Sequence, residues 1–285
     1  QVAAGLDQVP ADVEQGLHRA ARFSERHGND YREYLLATLK AEGYSAGQCE
    51  RFAESLDLTF GEKPVHYQQP TRYYFPGLAQ QAFFPREQFP WIEELESRTD
   101  AIRDELQTLL SETEHGGFIP YLEADGGPQL NDRSNVGSMD WSAFYFWREG
   151  RLVEENAARC PNTVAALERV PLCKVPDQMP SALFSRLTPG ARIVPHHGAV
   201  NTRLICHLPL IVPPNCGALR VGNYERAWRE GEAFVFDDSM EHEAWNNSDR
   251  ERVVLLFDVW RPELTEEERH WVSRMLQAVA AYSET

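Results

Sequence analysis

The sequence predicts a mainly β fold with flanking helices: an antiparallel sandwich or barrel, of which the jelly roll is one case, preceded by a small helical module. Short apolar runs recur at near-regular spacing over residues 181–260, and turn-forming residues separate them. Before them, residues 11–57 carry apolar positions at helical spacing. We therefore expect an N-terminal part at residues 1–75, comprising the helical module and the start of a crossing segment, and a β domain at residues 76–285.

The helical module is predicted from two apolar stripes, one that includes Leu17 and one that includes Leu35. Gly43 and Gly47 punctuate this region, which predicts a helix–turn–helix arrangement. The sequence holds no second copy of the unit, so a repeat array is not supported. Residues 61–90 are rich in Pro, Gln and aromatic residues and are predicted to form an extended crossing segment.

The next elements are predicted in chain order. Residues 91–110 have the periodicity of one long amphipathic helix. Residues 123–137 contain three Gly, two Asn and two Asp, which predicts a loop of the kind that often forms a lid. A strand rich in aromatic residues is predicted at 141–147, and a helix at 161–169.

The β domain is then predicted as strands with turns between them. The strands are expected at residues 183–187, 204–212, 218–221, 233–236 and 253–260. Turn sequences such as Thr188-Pro189-Gly190 lie between them. Thr265, followed three residues later by Glu268, predicts a capping box and a final helix that ends near Tyr282.

Composition excludes several classes of partner. The chain has 285 residues and a formal net charge of −16, so nucleic acid and anionic membrane surfaces are not expected to bind it. No apolar run approaches the roughly eighteen residues that a membrane span needs. The five cysteines include no C-x-x-C pair, which favours free thiols in a reducing compartment.

Candidate chemistry is concentrated between residues 195 and 252. The sequence Pro195-His196-His197-Gly198 opens this region, and Arg252 follows ten residues after His242. Four of the nine histidines lie within the 47 residues from His196 to His242. Two imidazoles presented from facing strands can clamp a divalent iron, zinc or copper ion. An arginine nearby can receive the distal carboxylate of a dicarboxylic co-substrate in bidentate geometry.

Spacing alone leaves a second interpretation open. A facial-triad oxygenase would supply a carboxylate two residues after the first histidine, where this chain has Gly198. With only two protein ligands, His196 and His242 could equally be core histidines or turn residues. Asp237 and Asp238 are expected to shape the turn before His242, or to bind a metal through water.

The region from residue 185 to residue 265 resembles the aspartyl/asparaginyl β-hydroxylase family. It has P-H-x-G at residues 195–198, R-L-x-x-H-L at 203–208, W-x-x-G at 228–231, F-D-D-S-x-E-H-E at 236–243 and D-V-W-x-P-E-L-T at 258–265. Weaker similarity extends over roughly the last 200 residues. The family is known for a two-histidine iron site with Gly at the position of Gly198, so the missing carboxylate supports the resemblance.

The resemblance implies a double-stranded β-helix (jelly-roll) oxygenase domain and a hydroxylase that uses Fe(II), 2-oxoglutarate and O2. By position, His196 and His242 match the iron ligands. The other matched roles concern the co-substrate and the substrate: Arg252 and Ser185 at the distal carboxylate of 2-oxoglutarate, His207 near its proximal carboxylate, Trp141 as an aromatic wall, and Arg203 at a carboxylate of substrate or co-substrate.

Two positions depart from the family pattern. Ile205 stands where the family has a second arginine, so the substrate can differ from the aspartyl side chain that the animal enzymes prefer. Ala158 and Val164 stand near the disulfide positions of the animal enzymes, and Cys160 has no obvious mate. This second departure favours a cytoplasmic rather than a lumenal protein.

The resemblance implies hydroxylation of an unactivated carbon, the β-carbon of an Asp or Asn unit in a peptide, protein or amino acid. One alternative is a relative that acts on a lipid acyl chain or a carrier-bound amino acid. Another is a binding protein that retains the barrel without turnover. The N-terminal helices either dock a protein partner or support the packing of the barrel.

Overall fold

The computed structural model describes residues 10–45, 47–112, 116–122 and 136–283. Its contacts divide the chain into two units, Gln1–Val65 and His66–Thr285. The division falls after Val65 rather than after residue 75, because the following segment hydrogen-bonds with the β domain. The N–H groups of Gln69 and Thr71 donate to the carbonyl oxygens of Ser239 (2.8 Å) and Gly198 (2.9 Å).

The first unit contains two helices, α1 (Ala11–Ala41) and α2 (Glu50–Thr59). The chain turns between them at Gly43, whose φ of +93° is a conformation that glycine adopts without steric cost. Tyr44 and Phe52 pack edge to face across the turn, with ring centroids 5.1 Å apart. The predicted helix–turn–helix arrangement is confirmed.

The second unit is built on two antiparallel sheets. The larger sheet has the order β1-β2-β4-β11-β6-β9, with β3 on β2, and the smaller has the order β5-β10-β7-β8. The strands of the larger sheet are β1 (Ile119–Pro120), β2 (Trp141–Arg148), β3 (Arg151–Leu152), β4 (Ala182–Leu187), β6 (Arg203–Ile211), β9 (Phe234–Phe236) and β11 (Arg252–Trp260). Those of the smaller are β5 (Arg192–His196), β7 (Ala218–Val221), β8 (Tyr224–Ala227) and β10 (His242–Trp245).

Helices flank the larger sheet. They are α3 (Ile92–Glu96), α4 (Thr99–Glu112), α5 (Glu154–Arg159), α6 (Pro161–Leu167) and α7 (Glu266–Ser283), with a short 3₁₀ helix at Arg86–Gln88. The predicted mainly β jelly-roll fold with flanking helices is confirmed. None of the helices within the described residues is long and apolar enough to cross a membrane.

Side-chain alternation along β11 separates the core from the pocket. The apolar residues at odd positions belong to the core that the sheet forms with α3, α4 and α6: Val253, Leu255, Phe257 and Val259. Residues at even positions face the smaller sheet: Arg252, Val254, Leu256 and Asp258. The same alternation on β6 places Cys206 in the core and Ile205 on the pocket side.

Two predicted features of the helices have definite outcomes. The single helix expected at residues 91–110 is wrong, because the chain breaks between α3 and α4. At the break the Thr99 hydroxyl donates to the Glu96 carbonyl (2.7 Å), and the Glu96 carboxylate accepts from the N–H of Ala233 (2.7 Å). The capping box is confirmed, since the N–H groups of Thr265 and Glu268 donate to each other's side-chain oxygens at 2.8 and 3.2 Å. The loop predicted at 123–137 lies almost wholly outside the described residues.

Candidate active site

A cavity of about 500 Å³ lies between the two sheets. Strands of both sheets line it, together with the turn before β10. The seven residues that the sequence proposed for the site all line this one cavity: Trp141, Ser185, His196, Arg203, His207, His242 and Arg252. Residues that are up to 111 positions apart in the chain (252 − 141) are therefore brought together by the topology.

His196 and His242 face each other across the smaller sheet. β5 and β10 pair directly at these two residues, and the ring centroids are 4.0 Å apart. The Nδ1 atoms lie 2.8 and 3.0 Å from the carbonyl oxygens of Val194 and Met240, two residues earlier on each strand. A carbonyl oxygen only accepts, so each Nδ1 carries the proton and each Nε2 keeps its lone pair for a metal ion.

Burial favours the neutral form of both imidazoles. It lowers the pKa of His196, and it lowers the pKa of His242 well below its ordinary value, with the neighbouring His196 adding to the effect. Neutral imidazoles with a fixed tautomer are the form in which histidine binds metals. Two residues present therefore fit a metal ion, although no group of three His, Cys, Asp or Glu side chains converges within the described parts of the chain.

Asp238 fills the space where a third ligand would be expected from spacing. A Cβ atom at Gly198 would lie 2.1 Å from the Asp238 Oδ2 and 2.5 Å from its Cγ. The N–H of Gly198 also donates to the Asp238 carbonyl oxygen at 2.7 Å. Glycine is required at this position because the neighbouring carboxylate leaves no room for a side chain.

One arginine and two carboxylates form a buried cluster at the same end of the cavity. Nη1 of Arg203 lies 2.9 Å from Oδ1 of Asp238, and its Nε lies 3.6 Å from Oδ1 of Asp258. Burial raises the pKa of Asp238 to about 6, and the positive charge of Arg203 opposes that shift. The N–H of Ser181 donates to the other oxygen of Asp258 at 2.8 Å.

Arg252 lies at the opposite end and has no carboxylate partner among the described residues. Its side chain is 1% exposed, its Nη1 donates to the Ser185 carbonyl at 3.3 Å, and its Nε has no hydrogen-bond partner in the part of the chain that the structure describes. The guanidinium lies over the ring of Trp228, 4.5 Å from its centroid. Burial lowers the pKa of Arg252 to about 10. A buried cation without a counter-ion fits an anionic ligand that arrives from outside the chain.

His207 and Ser185 complete this end. The Nε1–H of Trp228 donates to Nδ1 of His207 at 3.3 Å, and burial beside Arg252 lowers the pKa of His207 well below its ordinary value. The Ser185 hydroxyl accepts from the Nε1–H of Trp141 at 3.3 Å. The arrangement offers a cation, a hydroxyl and a neutral imidazole to a small anion.

Several lining residues were absent from the sequence predictions, among them Tyr121, Leu256 and Asp258. Tyr121 stacks on Trp141 with ring centroids 4.0 Å apart, while Leu256 and Asp258 follow Arg252 on the pocket side of β11. The alternation of β11 outward from Arg252 could have identified the last two. Tyr121 follows the two-residue strand β1, which carries no periodic signal.

Glu243 forms an ion pair with Arg220 on β7. Its carboxylate accepts from Nε of Arg220 at 2.5 Å, and the same guanidinium lies 3.0 Å from the Glu241 carboxylate. Arg220 on β7 thus links the two carboxylates that flank His242, which anchors the strand that carries this histidine.

Fold and site together define a jelly-roll protein whose barrel holds two facing histidines and a buried arginine that pairs with no carboxylate of the described segments. A family model described as aspartyl/asparaginyl beta-hydroxylase matches residues 96–262, more than half of the chain. The chain belongs to the aspartyl/asparaginyl β-hydroxylase family. This confirms the resemblance found in the sequence motifs.

Individual relatives agree with this assignment. An ornithine lipid ester-linked acyl 2-hydroxylase from Rhizobium tropici is 38% identical over 176 residues, which are 61% of this chain and 58% of that protein. The mouse aspartyl/asparaginyl beta-hydroxylase is 33% identical over 215 residues, 73% of this chain and 27% of that protein. The chain therefore spans less than two thirds of either relative. A solved Pseudomonas putida prolyl-4-hydroxylase is 16% identical, covering 57% of this chain and 87% of that one with a TM-score of 0.34.

Proposed function

We propose that this hydroxylase-family chain is an iron(II)- and 2-oxoglutarate-dependent dioxygenase that hydroxylates an unactivated carbon. The observation that carries the proposal is the buried Arg252, which has no carboxylate partner within the described ranges, in the same cavity as the facing His196 and His242. A dicarboxylic co-substrate would neutralise that cation while its other end reaches the metal. The proposed substrate unit is the β-carbon of an Asp or Asn in a peptide, protein or amino acid.

Different residues of the cavity would bind the metal ion and the co-substrate. When bound, iron(II) with 2-oxoglutarate and O2 supplies the oxidising chemistry, in which 2-oxoglutarate becomes succinate and carbon dioxide and the substrate gains one oxygen atom. His196 and His242 would hold the metal through Nε2. Arg252 and the Ser185 hydroxyl would hold the distal carboxylate, with His207 beside the co-substrate.

The aromatic wall shapes the cavity and excludes water from it. Trp141 is almost fully buried, and Tyr121 stacks on it with an angle of 13° between the rings. Together they cover one side of the cavity and exclude water from the reacting atoms. The Arg203 cluster is a second charged group in the cavity lining and would contact the substrate.

A lipid acyl chain is the second candidate substrate. It is favoured by the name of the Rhizobium tropici relative and by the apolar side chains of Ile205 and Leu256 in the cavity. A carrier-bound amino acid is a third candidate substrate, and binding without turnover is a different candidate activity. The cytoplasmic location and the docking of a protein partner by the N-terminal helices stay predictions.

Mass spectrometry tests the proposal. The chain is incubated with iron(II), 2-oxoglutarate and a panel of Asp- and Asn-containing peptides, free amino acids and an ornithine lipid. We expect one panel member to gain one oxygen atom, with succinate formed in step, only when iron and 2-oxoglutarate are both present. The proposal fails if no member yields succinate or gains oxygen under these conditions.

A further inference from the structure

The tight turn between β2 and β3 holds a glutamate in a conformation that glutamate rarely adopts. Glu149 and Gly150 join the two strands, which pair at Arg148 and Arg151, and their φ angles are +52° and +75°. Positive φ at both central residues is typical of a type I′ turn, in which Asn-Gly is the preferred sequence. A short Asn or Asp side chain can hydrogen-bond locally in this conformation, whereas the longer glutamate is strained. Such strain points to a role of Glu149 outside the turn itself.

The turn lies at the outer edge of the substrate end of the cavity. Glu149 lines the cavity, and the N–H of Gly150 donates to the Pro180 carbonyl oxygen at 3.1 Å. Ser181, the next residue along the chain, lines the same cavity and donates its N–H to the Asp258 carboxylate at 2.8 Å. Glu149 is exposed, so its carboxylate lies where the cavity opens to solvent.

Glu149 and Arg72, both exposed, line this opening, which is the mouth of the cavity. Among the residues that the structure describes, the Glu149 carboxylate forms no ion pair. Arg151, two residues along the chain, is paired with Asp177 at 2.7 Å. Nη2 of Arg72 donates to Oε1 of Gln178 at 3.4 Å, so this cation is directed to a neutral amide. A ligand that extends out of the mouth therefore finds a carboxylate ready to accept a cationic group.

This position suits the part of a substrate that flanks the reacting unit. A peptide residue that reaches His196 and His242 from solvent leaves its sequence neighbours at the mouth, beside Glu149. The cations that a peptide side chain can present there are an ammonium and a guanidinium. We propose that Glu149 is a specificity-determining residue, which binds a Lys or Arg side chain flanking the hydroxylated residue of a peptide or protein substrate. The inference rests on the proposed hydroxylase function and specifies which peptides it would prefer.

Peptides matched in every other position test this preference. Each has a central Asn or Asp and carries Lys, norleucine or Glu at one flanking position, which is varied along the peptide. Norleucine keeps the apolar stem of Lys without the ammonium group. We expect the Lys peptide to exceed the norleucine peptide about two- to fivefold in kcat/KM at one flanking position, as for ion pairs open to water. The difference should lie in KM, because Glu149 would contact a group remote from the reacting carbon.

Three variants assign the preference to this residue. Glu149→Gln removes the charge and should equalise the Lys and norleucine peptides. Glu149→Asn removes the charge and supplies the residue that a type I′ turn prefers, so it should also raise the urea midpoint of unfolding above that of Glu149→Gln. Glu87→Gln is the matched control, the same change at an exposed position outside the cavity lining. It should keep the Lys preference, which separates pairing at Glu149 from attraction by the net charge of −16.

Binding measured without oxygen keeps the outcomes distinct. Titration calorimetry of each peptide, with 2-oxoglutarate and zinc in place of iron, reports docking without turnover. Tighter binding of Lys peptides that is lost in Glu149→Gln, with no oxygen gain by any peptide, would contradict the proposed hydroxylation and leave the role of Glu149 standing. The role of Glu149 is overturned, while hydroxylation stands, if turnover shows no Lys preference, if the preference survives in Glu149→Gln or disappears in Glu87→Gln, or if oxygen gain is confined to the ornithine lipid. Absence of both binding and turnover for every peptide would also overturn it. A lower unfolding midpoint in Glu149→Asn than in Glu149→Gln would overturn it too, because the role is inferred from strain at this residue.

Discussion

Gly198 gives the sharpest structural prediction, because a single methyl group tests how the site replaces a third ligand. In Gly198→Ala the new Cβ would lie 2.1 Å from Oδ2 of Asp238, whereas real Cβ atoms essentially never approach within 3.0 Å. The Asp238 carboxylate must therefore move by about 1 Å. The φ of Gly198 is not in the left-handed region, so alanine adds no backbone strain of its own.

The cost follows from the contacts that the carboxylate leaves. Moving Asp238 from 2.9 Å to about 3.9 Å from Arg203 loses roughly 1.5 kcal/mol of attraction at an effective dielectric constant of about 20. Overpacking of a filled interior adds about 1–3 kcal/mol. We expect the free energy of unfolding to fall by roughly 2.5–4.5 kcal/mol in total.

A double-mutant cycle in urea measures this directly. Gly198→Ala is compared in the wild-type chain and in an Asp238→Ala background, where the obstructing carboxylate is gone. The same substitution should then cost much less, giving a coupling energy on the order of 1–3 kcal/mol. Additive effects of the two substitutions would refute the packing of Asp238 against Gly198.

Three further predictions concern the other buried charges. Arg252→Met removes a buried cation that has no carboxylate partner among the described residues, so it should raise the free energy of unfolding in the absence of 2-oxoglutarate. It should also weaken 2-oxoglutarate binding by roughly 2 kcal/mol or more, about thirtyfold. Denaturation and calorimetry check this, and a destabilised variant would contradict it. The pKa of Asp238, about 6 when folded against about 3.9 unfolded, means that the folded state holds this proton more tightly. The stabilising contribution of this proton is therefore full below about pH 3.9 and lost above about pH 6. As the pH rises through that window, the wild type should lose stability relative to Asp238→Asn. Parallel pH profiles of the two proteins in thermal unfolding would disprove this. Arg261→Met leaves the fully buried Asp237, which Arg261 contacts at 2.8 Å, without its counter-ion. The free energy of unfolding in urea should fall by about 3–5 kcal/mol and recover in part when Asp237→Asn is added. A fall of less than about 1 kcal/mol would show that the ion pair is not needed for stability.

The sequence was informative where periodicity and motif order carry the signal. The long strands β6 and β11 were predicted within a residue at each end, because each is an apolar run with turn-forming residues beyond it. The short strands β5 and β10 contain the histidines, and the sequence analysis did not predict their residue ranges. Their four or five residues mix polar and apolar side chains, so only pairing with neighbouring strands defines them.

The site was predictable as a set of residues but not as a charge arrangement. Motif order placed His196, His242 and Arg252 in one site, and the structure brings them to one cavity. No local pattern indicates that Asp238 occupies the space beside Gly198, because that contact joins residues 40 positions apart (238 − 198). The break between α3 and α4 was missed for the same reason: helical periodicity continues through it, and a tertiary hydrogen bond to Glu96 lies at the break.

Metal binding tests the central claim most directly. Anaerobic equilibrium dialysis with iron(II) and 2-oxoglutarate compares the wild-type chain with His196→Ala and with His270→Ala, a change at an exposed histidine of α7. We expect about one iron per chain in the wild type and in His270→Ala, and loss of that iron in His196→Ala, because a single remaining imidazole cannot clamp the ion. Iron held as tightly by His196→Ala as by the wild type would contradict the assignment of the facing histidines as the metal site.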